Sequence, residues 1–226
     1  MTNKLSVRHS AVVRSTSDFA YNTIRQAIIE HQLPAGSRLV EARVSKDLNV
    51  SITPVREAFA RLANQGLLTA FPYKGTYVTR ISKQYVDDVY FLRKNLEIMA
   101  VEQGFSRLRE DDIQYCEELC VAADNAFVRK ELCESIRYDV MFHEHMITVS
   151  GSRLLMEMWD IIKYRIENIQ SYTKPTMNAR LVFRHKPMLD AARLRDQEGY
   201  KAALIEHLES NQSVVDFPDE KDIQYN

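Results

Sequence analysis

Residues 41–78 are broken at Asn49, Pro54, Gly66 and Lys74-Gly75, and each break admits only one kind of element before the next. Upstream, "DFAYNTIRQAIIEH" sets Ala20, Ile24, Ala27 and Ile28 on one helical stripe, which "QLPAGSRL" ends at Pro34 and Gly36. A short helix over about 41–48 then turns Val44 and Leu48 inward. Asn49 is the non-glycine residue most tolerant of a left-handed backbone and makes the tight turn. A third helix over about 53–65 follows, with Thr53 as its cap and Pro54 in the first turn, where no amide donor is required. Its Val55, Phe59 and Leu62 face in. Beyond Gly66, "LLTAFPYKGTYVTRI" holds two short β-prone runs around Lys74-Gly75, which is a hairpin. Three helices with a short turn between the second and third, then a hairpin, make a winged helix-turn-helix.

That arrangement gives a use to the side of the third helix left out of the core. In such folds its N-terminal residues lie nearest the base edges of the DNA major groove. Ser51 and Thr53 can donate to phosphates or bases, and the Arg56 fork suits guanine or a phosphate oxygen. A solvated surface arginine is the alternative for Arg56. The small Ala60, one turn on, favours the groove, where an inserted face has little room. Lys74 and Gly75 at the hairpin tip reach the flanking backbone or minor groove. Charge points the same way. Residues 1–82 hold 11 Lys and Arg against 5 Asp and Glu, a balance of +6, while the remainder holds 19 against 26, a balance of −7. An anionic polymer is the partner this predicts for the first part alone.

From Ser82 onward no strong strand pattern remains. Helical segments are predicted over about 83–106, 110–130, 131–149, 152–171, 177–196 and 198–213, separated by Gly104, "SGS" at 150–152, Pro175 and "DQEG" at 196–199. Six helices with short connections make an all-α bundle. The expected organisation is a flexible tail over 1–17, a winged helix-turn-helix over 18–82, a helical domain over 83–215, and a C-terminal tail over 216–226. No run of 18 apolar residues occurs and the N-terminal stretch lacks the apolar segment of a signal peptide, so a soluble cytoplasmic protein is expected. Cys116, Cys120 and Cys133 fit that compartment; Cys116 and Cys120 share a helix face but read as core filler rather than soft metal ligands.

A ligand set stands out in the bundle. Asp139 and His143, four apart in "YDVMFHEH", project from one helix face. If the chain reverses near Gln197, His185 and His207 lie at levels of about 18 Å and 15 Å from the turn at roughly 1.5 Å per residue, and so sit side by side. Any one histidine alone reads as a satisfied polar group. An aspartate and three imidazoles at compatible levels read instead as a site for one divalent transition metal per chain, Zn²⁺, Ni²⁺ or Mn²⁺, with positions open for water or a ligand. His145 points elsewhere.

The stretch "LPAGSRLVEARVSKDLNVSITPVREAFARLANQGLLTAFPYKGTYV" resembles the DNA-binding domain of the GntR family of bacterial transcriptional regulators. "RKNLE", "DVMFHEHM", "RHKPMLDAA" and "AALIEHL" are similar to the FCD ligand-sensing domain of its FadR-like subfamily, and the six-helix count resembles the VanR-type branch. The resemblance implies a homodimer that binds a palindromic operator, most often as a repressor, and answers to a small metabolite, typically a carboxylate that completes the metal's coordination. It implies that Asp139, His143, His185 and His207 are the metal ligands. It matches Arg93 to a position that reaches the effector pocket; an intrahelical pair with Glu97 is the other reading of Arg93. Two departures concern DNA. "SITPVRE" carries Ile52 where an arginine is usual, which suits a thymine methyl, and Ala42 replaces a frequent arginine although Arg43 follows it.

Two other readings compete. One is a metal-independent sensor for a longer ligand such as an acyl-CoA. The other is a helical metalloenzyme, for which Glu144, next to His143, is badly oriented as a general base because neighbours on a helix diverge by about 100°. The expectation is a DNA-binding regulator and not an enzyme.

Overall fold

The computed structural model describes residues 15–173 and 181–215. The tail expected over 1–17 lies outside them up to residue 14, as do Pro175, the start of the segment expected at 177 and the tail over 216–226. The chain divides into two compact units, with Ile81 ending the first stretch and Ser82 opening the second.

In the first unit, helix α1 (Thr16–Ile29) begins where the Ser15 hydroxyl accepts from the amide of Asp18, and it buries Ala20, Tyr21, Ile24, Ala27, Ile28 and Ile29. Helix α2 (Glu41–Leu48) buries Val44 and Leu48 and ends on Asn49 at φ 54°, ψ 46°, the left-handed turn its sequence called for. Helix α3 (Ile52–Asn64) starts earlier than expected: Ser51 precedes it in extended backbone, so Thr53 lies inside the helix and is not its cap. Pro54 still falls in the first turn, where its missing amide costs nothing. Val55, Ala58, Phe59 and Leu62 close the core against α1.

Strands β2 (Leu68–Phe71) and β3 (Gly75–Val78) pair antiparallel from Leu68–Val78 to Phe71–Gly75. A strand with no signal in the sequence, β1 (Arg38–Leu39), adds to the other edge of β3 with Arg38 opposite Tyr77. Two residues are too few to show a period of two. At the tip, Lys74 N donates to Phe71 O at 3.1 Å, closing a turn with Pro72 second and Tyr73 third. Tyr73 takes φ 63°, the positive angle a type II turn demands there, and is fully exposed.

The second unit has six described α-helices: α4 (Lys83–Gly104), α5 (Glu110–Val128), α6 (Leu132–Val149), α7 (Arg153–Gln170), α8 (Leu181–Arg193) and α9 (Gln197–Ser213). Ser82 caps α4 by accepting from Tyr85 N, Ser152 caps α7 from Leu155 N, and Asp196 caps α9 from Gly199 N. At the start of α5, Asp112 Oδ2 accepts from the backbone N–H of Arg109 at 2.7 Å. Helix α6 packs against α4, α5 and α7, and α9 packs against α4 and α8, so α4, α6, α8 and α9 converge on one interior. Gly104 lets α4 approach the end of α6: a Cβ there would stand 2.7 Å from Ser150 Cα and N. Cys116 and Cys120 are buried in α5 and Cys133, in the first turn of α6, is half-buried. Among the described residues, no helix is long and apolar enough to cross a membrane.

Candidate metal centre and nucleic-acid face

Helix α6 turns Ser135, Ile136, Asp139, Val140, Phe142, His143, Met146 and Ile147 inward, a stripe at helical spacing with two polar residues at its middle. The same interior receives His185 from α8 and His207 from α9. One ligand atom from each of Asp139, His143, His185 and His207 lies within 4.8 Å of the others, and all four residues are buried. The imidazole of His185 stands 4.3 Å, centroid to centroid, from that of His207 and 5.2 Å from that of His143. His143 Nε2 and His185 Nε2 face each other at 3.2 Å. The chain reverses at the α8–α9 turn, where Arg195 takes φ 59°. His145 is outside this group; its Nε2 lies 3.0 Å from Asp112 Oδ1.

The surrounding shell fixes these side chains. Glu97 Oε2 is 2.7 Å from His143 Nδ1, and its Oε1 accepts from Arg93 Nε at 2.7 Å. Gln170 Nε2 donates to Asp139 Oδ2. Asp139 Oδ1 has His185 Nε2 at 3.3 Å but no hydrogen bond of good geometry. Asn211 Nδ2 is 2.9 Å from His207 Nε2 while Asn211 Oδ1 has no partner, so the amide can reverse and accept from that nitrogen instead. Arg93 is completely buried, and its Nη1 and Nη2 have no hydrogen-bond partner among the described residues. Tyr90 is buried beside it, with Arg93 Cζ 5.7 Å from the centre of its ring.

Of the two readings of Arg93, the pair with Glu97 is present through Nε, and Nη1 and Nη2 make no hydrogen bond among the described residues. Arg184, beside His185 in the chain, adds a second cation close enough to act on Asp139 and Tyr90. Burial opposes the charge on Asp139, yet His185, His143, Arg93 and Arg184 outweigh it and hold the carboxyl below its usual range. Glu97 is likewise held down by His143 and Arg93 against its own burial. His207 is pushed well below the imidazole range, first by burial and then by His185 and His143, and so offers a neutral lone pair.

A metal ion fits this donor set. Imidazole is a borderline donor and carboxylate a hard one, and three of the first with one of the second suit Zn²⁺, Ni²⁺ or Mn²⁺. Two imidazole nitrogens that share one hydrogen bond at 3.2 Å, beside a carboxylate oxygen with none among the described residues, are buried polar atoms that a shared cation would satisfy together. Glu97, Gln170 and Asn211 supply the outer contacts such ligands ordinarily need. Glu97 was visible in the sequence only as the partner of Arg93. Asn211, four residues after His207, was open to the same helical-spacing argument, whereas nothing local marks Gln170.

In the first unit, Ser51, Ile52, Thr53, Arg56 and Ala60 are exposed along one side of α3. Arg56 Nε pairs with Glu41 Oε2 at 3.1 Å and Arg43 Nε lies 3.9 Å from Asp47, all at the surface. Lys74 is exposed at the wing tip, Gly75 takes φ 108° beside the Arg38 side chain, and Tyr73, absent from the sequence-based set, projects furthest into solvent.

Residues 16–78 match the gntR family of bacterial regulatory proteins, and residues 88–210 match the FCD domain. The chain is a GntR-family regulator with an FCD domain. It is 27% identical over 191 residues to the HTH-type transcriptional repressor RspR of Escherichia coli K12, covering 84% of each chain. It is 25% identical over 198 residues to the HTH-type transcriptional regulator McbR of the same organism, covering 86% of this chain and 90% of McbR. The solved structure of E. coli McbR/YncC shares the fold, with a TM-score of 0.71 at 24% identity over 89% of this chain and 97% of that one. The domains and relatives of this GntR-family chain are those of a DNA-binding transcriptional regulator and not of an enzyme.

Proposed function

We propose that this GntR-family chain is a repressor that binds a palindromic operator as a homodimer and responds to a small carboxylate held beside a divalent transition metal in its FCD domain. Its place of action is the cytoplasm and its branch the VanR type, in keeping with six described helices in the second unit. The observation that carries the sensor reading is the buried convergence of Asp139, His143, His185 and His207 next to an arginine with two unclaimed Nη atoms. A planar fork of this kind suits a carboxylate bidentately, and Arg93 would supply it while the metal takes a second donor from the same molecule. The metal would act as a Lewis acid toward an anionic ligand; the protein's part is to fix Arg93 and exclude water.

For DNA, the exposed side of α3 offers Ser51, Thr53 and Arg56, with Ile52 available for a thymine methyl, and Arg43, Lys74 and Gly75 for phosphates flanking it. Repression is carried over from RspR, a transcriptional repressor by name. Self-association is supported by apolar stripes left exposed on two helices that pack together, Phe91, Leu92 and Met99 on α4 and Leu154, Met158 and Ile161 on α7.

Elemental analysis of protein purified without a histidine tag tests the sensor. About one metal per chain is expected, lost in the His143→Ala/His185→Ala variant, with a thermal shift for small carboxylates in the wild type alone. Absence of metal from both would discard the metal-dependent reading and favour a metal-independent sensor. Gel-shift titration against the chain's own upstream DNA tests the other half; equal affinity for random duplex at physiological salt would overturn it.

A further inference from the structure

Glu97 lies between two donors. Arg93 Nε–H reaches its Oε1 and His143 Nδ1 its Oε2, each at 2.7 Å, and all three residues are at least 98% buried by their 0%, 2% and 2% exposures. An ionised carboxylate can only accept, so His143 carries a proton on Nδ1, and in the neutral ring Nε2 is then the lone pair. Nε2 is the nitrogen that faces His185. We propose that Glu97 is a positioning residue of the centre: it holds His143 in the tautomer able to ligate a metal, and the same carboxylate anchors Arg93 by Nε so that both Nη atoms face an anion. This rests on the metal reading above.

The choice of a carboxylate over an amide follows from counting donors. Glutamine would offer one acceptor and an NH₂ group to two neighbours that both need an acceptor. Turned toward Arg93, its NH₂ would collide with a permanent N–H. Turned toward His143, it would force Nδ1 to accept and move the proton to Nε2, where it blocks a metal. The cationic Arg93 claims the oxygen more strongly, so the second outcome prevails. A glutamate that merely filled space, or merely neutralised Arg93, would have no such effect on the ring.

Two measurements test this. In metal-free wild-type protein at pH 8, a long-range ¹H–¹⁵N spectrum of the histidine rings should show His143 protonated at Nδ1, and in Glu97→Gln at Nε2. A wild-type ring protonated at Nε2 overturns the proposal. Zn²⁺ affinity, read by chelator competition, should fall about 10–100-fold in Glu97→Gln; an unchanged affinity overturns it. Where the loss of Arg93's counter-charge prevents that variant from folding, Arg93→Met/Glu97→Met is compared with Arg93→Met, since an apolar pair can replace a buried ion pair without loss of fold. The same fall is expected between those two, and equal Zn²⁺ affinities again overturn the role. A wild-type chain that takes up no Zn²⁺ removes the metal reading, whereas the ring spectrum judges Glu97 independently of it.

Discussion

Tyr73 stands at φ 63° with its side chain wholly in solvent. A large L-residue in left-handed backbone costs about 1–2 kcal/mol, and no burial offsets it here. If the wing meets DNA as proposed above, Tyr73 beside Lys74 puts a flat ring where it would enter a groove or lie along the sugar-phosphate backbone. Tyr73→Gly should stabilise the protein by about 0.5–1 kcal/mol, since glycine accepts the turn without strain, and should weaken operator binding several-fold in a gel-shift titration. A variant that gains stability without losing affinity would leave the wing to Lys74 and Gly75. Sequence reading selected those two from the hairpin tip but passed over Tyr73, because a tyrosine in a β-prone run looks like a strand residue until the turn is located. Arg93 shows the opposite case. Of its two sequence readings, ion pair or anion fork, the structure shows the first through Nε, and the two Nη atoms without a hydrogen bond among the described residues leave the second open to the carboxylate test above.

At the scale of elements, the residues that end helices were the most legible. Asn49, Gly66, Ser82, Ser152 and Asp196 each mark a boundary by a conformational or capping preference that acts locally, independent of the rest of the fold. Helix α3 was misjudged at its start because Ser51 and Thr53 are both good caps, and only the backbone decides between them. What no local rule reveals is how near two helices come. Gly104 ends α4 against Ser150, and that contact lets the helix bearing Arg93 and Glu97 lie close to the one bearing Asp139 and His143. A methyl group at 2.7 Å from backbone atoms cannot be relieved by rotating a side chain. Gly104→Ala is therefore expected to destabilise the protein by about 1–3 kcal/mol in denaturant melts despite its better helix propensity. It should also lower Zn²⁺ affinity, although residue 104 touches no ligand. A gain in stability would mean that propensity, and not the approach of α4 to α6, governs this position.

For the whole molecule, the polar interior makes the metal-free protein sensitive to acid. Glu97 and Asp139 release their protons more readily when folded than unfolded. Their stabilisation is complete above the unfolded carboxyl range of about 4 and is lost as pH falls through the lower folded values. His207 acts in the same direction but earlier. Its folded value is depressed, so below about 6.5 the unfolded chain binds a proton that the folded chain refuses. Chelator-treated protein should thus melt at lower temperature as pH drops from 7 to 5, with a slope of up to about 1.4 kcal/mol per pH unit from His207. His207→Gln should flatten that stretch of the curve while leaving the steeper loss near pH 4. The clustering that creates this sensitivity was the least legible feature. Spacing placed His185 and His207 at matching heights, but Gln170 and Arg184 enter the site only through the packing of α7 and α8.

The cysteines of the second unit offer a way to watch that site without disturbing it. Burial, with Asp112 and Glu117 nearby, pushes the Cys116 thiol up to about 12, and burial beside Asp139 pushes Cys120 higher still, so neither forms a thiolate near neutral pH. Cys133 is the least buried of the three, in the first turn of the helix that carries Asp139 and His143, and a thiol-directed dye is expected to attach there first. Cys133 precedes Asp139 by six residues and His143 by ten on one helix, so a fluorophore attached there is expected to report on the occupancy of the centre in the unmutated protein.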